Sequence, residues 1–62
     1  MNEKDYMREV AAWAAATIAQ LGYELETLPD GAWCVDTEAG WETADNAHEL
    51  ARLARKLSAK RG

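Results

Sequence analysis

Residues 23–37 read Tyr23-Glu24-Leu25-Glu26-Thr27-Leu28-Pro29-Asp30-Gly31-Ala32-Trp33-Cys34-Val35-Asp36-Thr37. The centre of this stretch is a turn. Proline presets φ at the second turn position, aspartate tolerates the third, and glycine supplies the left-handed residue of a bulged three-residue loop. Pairing Leu28 with Ala32 across the loop sets Thr27 opposite Trp33, Glu26 opposite Cys34, Leu25 opposite Val35, Glu24 opposite Asp36 and Tyr23 opposite Thr37. Tyr23, Leu25, Thr27, Trp33, Val35 and Thr37 then share one face. Glu24, Glu26, Leu28, Ala32, Cys34 and Asp36 share the other. A slip of one residue would mix the two sets, so the pattern itself selects the register. The spacing predicts strands over about 23–28 and 32–37, with an apolar face that must be covered.

Toward the C-terminus, Thr37-Glu38-Ala39-Gly40-Trp41 repeats the layout, with glycine third in a three-residue loop. It predicts a second hairpin onto a short strand over 41–43. An equal loop would send Trp41 and Thr43 to the apolar face and set Glu42 beside Asp36. A helix follows over about 45–59, capped by Asp45 or Thr43. Its apolar stripe is Ala47, Leu50, Leu53, Ala54 and Leu57. Carboxylates stand at its start and basic residues at its end, as the helix dipole favours.

Toward the N-terminus, a helix is expected over about 3–21. Asn2 would cap it, and Glu3 and Asp5 suit the positive end of its dipole. Gly22 is placed for a left-handed terminating residue, with Tyr23 folding back on Ile18. Met7, Val10, Ala11, Ala14, Ile18 and Leu21 share a face at helical spacing. The remaining faces are hardly polar: Ala12, Ala15, Ala16 and Ala19 line the back, and Tyr6 and Trp13 form a flanking ridge. A helix apolar nearly all round is normally covered on several sides. A chain of 62 residues supplies little else to cover it. Self-association as a homodimer, through Ala12, Trp13, Ala15, Ala16 and Ala19, is the expectation. The whole chain, residues 1–62, reads as one α+β domain in the order α-β-β-(β)-α, with both helices on one face of a short antiparallel meander.

The net charge of −4 hides strong segregation. No lysine or arginine occurs between Glu9 and Arg52, while the last stretch holds Arg52, Arg55, Lys56, Lys60 and Arg61. Such polarity governs which surfaces attract which partners rather than the fold. One cysteine, Cys34, forms no intrachain disulfide and suits a reducing cytoplasm. The N-terminus lacks the basic region and apolar run of a signal peptide. The uncharged residues 10–23 fall short of the roughly 20 apolar residues a spanning helix needs. A cytoplasmic protein with no membrane partner is therefore expected.

Four features bear on function. The first is acidic: Glu24 opposite Asp36, with Glu42 extending the row and Glu26, Glu38 and Asp45 nearby. Like charges directly opposite one another destabilise a sheet. At about 5 Å in water each pair costs roughly 0.8 kcal/mol. Such a face attracts a protein with a basic surface; its simpler meaning is a solvated face. Second, Asp30, Asp36, Glu38, Glu42 and Asp45 lack the ligand spacing of a calcium loop, and His48 with Asp45, Glu49 and Cys34 lacks paired zinc-ligand spacing. No metal or cofactor is expected. Third, Cys34, His48 and Asp45 could form a nucleophile–base set only if brought together, and no oxyanion loop or elbow marks one, so no enzyme is expected. Fourth, Arg52, Arg55, Lys56, Lys60 and Arg61 could contact phosphates, but the domain as a whole is acidic and no aromatic interleaves with these charges. Direct nucleic-acid binding by the last helix therefore ranks second. The leading expectation is a non-enzymatic inhibitor or regulator whose acidic sheet occupies a basic, nucleic-acid-binding surface. Size and charge alone give the analogy to phage-encoded blockers of host defence.

Overall fold

The computed structural model describes residues 3–61. Helix α1 (Glu3–Gln20) leads into strands β1 (Glu24–Thr27), β2 (Trp33–Thr37) and β3 (Gly40–Ala44), and helix α2 (Ala47–Arg61) follows them. The three strands form one antiparallel sheet in the order β1-β2-β3. Both helices cover the same sheet face. Ala14 and Ile18 of α1, Val35 of β2, Ala44 of β3 and Leu50, Leu53, Ala54 and Leu57 of α2 meet in one buried cluster. This is the two-layer α+β arrangement expected from the hairpin pattern.

Helix α1 stops where Gly22 takes a left-handed φ of 92°. The Tyr23 N–H donates to the Ile18 carbonyl at 3.3 Å and the Gly22 N–H to the Ala19 carbonyl at 3.0 Å. That pair of bonds defines a Schellman termination. Tyr23 and Ile18 are then both buried in the core, as the spacing predicts. The capping role expected of Asn2 lies outside the described residues.

The first hairpin keeps its expected register, with Glu24 opposite Asp36 and Thr27 opposite Trp33. Leu28 and Ala32 close the loop through a 2.7 Å N–H to carbonyl bond, and Gly31 sits at φ 91°. The Asp30 carboxylate accepts the Ala32 N–H at 3.0 Å, a local turn bond. Two details differ from the simple alternation. Ala32 is buried rather than outward, and Thr27, on a short edge strand, is exposed rather than covered.

The second hairpin departs from expectation by one residue. The Thr37 hydroxyl accepts the Ala39 N–H at 3.2 Å and donates to the Gly40 carbonyl at 2.8 Å. The turn therefore closes over Glu38 and Ala39 alone, and Thr37 pairs with Gly40. Asp36 is opposite Trp41, Val35 opposite Glu42 and Trp33 opposite Ala44. A single-residue shift exchanges the two faces of a strand. Trp41 and Thr43 consequently point outward, against the expectation that they join the core. Glu42 turns to the helix side, and the small Ala44 lies in the core beside Leu50 and Ala51. Trp33 is half-buried at the core edge.

Helix α2 starts later than expected and has a different cap. Asn46, not Asp45 or Thr43, accepts the Glu49 N–H through its side chain at 2.9 Å. The Glu49 carboxylate reaches back to the Asp45 N–H at 2.7 Å. Asn46-x-x-Glu49 is thus a capping-box arrangement shifted one residue outward.

Candidate functional site

The helices leave the other sheet face uncovered. Its first row runs Glu24–Asp36–Trp41 and its second Glu26–Cys34–Thr43, by the cross-strand registers. Both glutamates, Asp36, Trp41 and Thr43 are exposed, and Cys34 is half-buried. Trp41 keeps 53 % of its surface open to solvent. Opposite partners on antiparallel strands have Cβ atoms about 5 Å apart. Two like charges at that spacing therefore abut a large flat apolar group. The carboxylates supply long-range attraction for cations, and an exposed indole is the side chain most able to anchor a protein contact once water is excluded.

The structure sorts the expected acidic residues. Glu24, Glu26 and Asp36 belong to this face. Glu42 does not: it lies on the helix side, 3.7 Å from the Lys56 ammonium. Glu38 is in the β2–β3 turn, where its carboxylate accepts the Tyr23 hydroxyl at 2.8 and 3.1 Å. Asp45 sits just before α2, held through its backbone by Glu49. The expected row Glu24–Asp36–Glu42 is replaced by Glu24–Asp36–Trp41. Trp41 is the member of the face that the sequence hid. The signal for it was Thr37, whose hydroxyl can close a shorter turn.

The basic residues of α2 divide between two sides. Arg55 lies over the Trp13 ring at 6.0 Å, on the side facing α1. Arg52 and Lys56 border a depression shared with Glu42 and Glu49. Lys60 is exposed. The side chain of Arg61 lies outside the described residues. This dispersal, with carboxylates interleaved, is a poor track for a phosphate backbone.

Cys34 and His48 are also separated. Cys34 belongs to the outer sheet face, whereas His48 lines a groove between the helices with Tyr6, Glu9, Val10, Trp13, Ala51 and Arg55. The sheet stands between the two side chains. Among the described residues, no three or more His, Cys, Asp or Glu side chains are grouped to hold a metal ion. No helix among them is long and apolar enough to cross a membrane.

The expected self-association residues are mostly open. Ala12, Ala16 and Ala19 are exposed, Trp13 is 48 % exposed, and Ala15 is half-buried against the core. Comparison with known protein families, with curated proteins and with solved structures finds no match, so geometry carries the functional argument.

Proposed function

We propose that this chain is a non-enzymatic protein-binding module whose uncovered sheet face docks on a basic protein surface. The supporting observation is Trp41, an exposed indole directly opposite Asp36 on the face that also carries Glu24 and Glu26. Carboxylates steer a basic partner and the indole anchors it. A surface that normally holds nucleic-acid phosphates is the kind of partner that fits, which makes the module an inhibitor or regulator, with phage-encoded blockers of host defence as the nearest analogy. A homodimer, formed on the opposite, helical side, would leave two such faces outward.

The test is affinity capture by the tagged chain, read by mass spectrometry. The controls are a Glu24→Lys, Glu26→Lys, Asp36→Lys variant and, separately, Trp41→Ala. The expected outcome is loss of the same basic proteins in both variants, with circular dichroism unchanged, and displacement of the wild-type catch by duplex DNA. Equal capture by wild type and both variants would sink the proposal. Binding of the isolated chain to DNA at low salt, with a steep salt slope, would instead favour the basic helix as the site.

A further inference from the structure

The groove between the helices is the second unpartnered surface. Tyr6, Glu9, Val10 and Trp13 of α1 face His48, Ala51 and Arg55 of α2 across it. It continues past Trp13 along Thr17, Ala54, Ser58 and Ala59. Residue by residue, the early turns of α1 lie against the early turns of α2, so the two helices run parallel. Trp13 and Arg55, stacked together, divide the groove into two shallow halves. Tyr6 and Trp13 are both about half exposed along it, at 54 % and 48 %.

Charge along this groove is ordered. Glu9, in the first half, is the carboxylate of α1 that lines it. Arg55 stands one helical turn further on, at the level of Trp13. Lys4 and Arg8 are exposed at helical positions turned away from Trp13 and do not offset Glu9 there. The ordering selects how two copies fit. Side by side in parallel, a twofold would set Glu9 against Glu9 and Arg55 against Arg55. Antiparallel, with the axis between Glu9 and Trp13, it sets Glu9 of each copy against Arg55 of the other. Both Trp13 rings then lie inside the contact, and the exposed Ala12 and Ala16 allow close approach.

We propose that a second copy of this chain occupies the groove, as an isologous antiparallel dimer of helix pairs with two reciprocal Glu9–Arg55 contacts. The arrangement gives a geometry to the homodimer suggested above and does not depend on what the sheet binds. Its size can be bounded. Helix α1 has 18 residues, so it is about 27 Å long, and two helices side by side are about 20 Å across. The contact is then on the order of 500 Å² per copy, below the ~800 Å² of a standard interface. A contact of that size falls in the class of weak, reversible complexes.

Sedimentation of the full chain over a concentration series provides the test, with circular dichroism confirming that each variant is folded. The wild type is expected to dimerise. Glu9→Arg alone and Arg55→Glu alone are expected to weaken association about tenfold, since each reversal acts twice in an isologous contact. An equimolar mixture of the two variants is expected to recover it, because each hetero pair restores both contacts between chains. A wild type that stays monomeric throughout, single variants that associate like wild type, or a mixture no better than its components would each overturn the proposal. The Glu24→Lys, Glu26→Lys, Asp36→Lys variant is expected to dimerise normally, which separates failure here from failure of the sheet to bind.

Discussion

At the scale of single residues, Gly22 holds this small structure and Glu42 merely follows it. At φ 92°, Gly22 occupies a conformation that costs an L side chain roughly 1–2 kcal/mol. Gly22→Ala is therefore expected to destabilise by about 1 kcal/mol and to lower the melting temperature by about 4–8 °C in a domain of this size. A thermal melt followed by circular dichroism reads it; an unchanged melting temperature would mean the Schellman bonds are dispensable. Glu42 behaves differently. Its ion pair with Lys56 is open to water, the two side chains being 36 % and 59 % exposed, and such pairs contribute about 0–1 kcal/mol. That is too little to draw a carboxylate to the helix side of a sheet. The turn before it sets its position, and the ion pair follows.

Among the elements, α2 depends most on its first turn. Asn46 and Glu49 together satisfy two backbone N–H groups that would otherwise lack protein partners. Replacing Asn46 with alanine is expected to cost about 1 kcal/mol, and Asn46→Asp to cost much less, because aspartate caps as well as asparagine. Chemical denaturation of the two variants measures the difference; equal losses would show that the amide's hydrogen bond is not the source. The elements also differ in how plainly the sequence announced them. The register of the first hairpin was legible because Pro29-Asp30-Gly31 and two nearly alternating strands agree, while the burial of Ala32 and the exposure of Thr27 were not. The termination of α1 was equally clear from Gly22, Tyr23 and Ile18. The third strand was legible as an element but not in its register. Gly-Trp-Glu-Thr-Ala alternates without a strong apolar partner set, so the choice fell to one threonine hydroxyl in the turn. The α2 cap was missed by one residue for a related reason: Thr43, Asp45 and Asn46 are all capable caps, and their order in the chain does not rank them.

On the scale of the whole molecule, little surplus stability is available. At about 0.05–0.15 kcal/mol per residue, a chain of 62 residues has roughly 3–9 kcal/mol in hand. Leu50 is fully buried at the centre of the cluster. Leu50→Ala is expected to remove about 2–5 kcal/mol and so to abolish or nearly abolish the cooperative thermal transition. A sharp transition close to that of wild type would show that the core is not centred on α2. The candidate site was half legible at this scale. Glu24, Glu26 and Asp36 could be placed from the first hairpin alone. Trp41 could not, because its face depends on a turn whose length the glycine spacing misstated.

The two-residue turn from Thr37 to Gly40 has one more consequence. A strand that follows a turn inherits its orientation from the residue that closes the turn. Insertion of a single residue after Glu38, with the turn held at two residues, would pair Thr37 with Ala39 and rotate β3 by half a period. It would turn Trp41 to the helix side opposite Val35 and bring Glu42 to the open face opposite Cys34, leaving every side chain's identity untouched. Deletion of that residue would reverse the change. The outer surface can thus exchange its exposed indole for a further carboxylate by one codon's gain or loss.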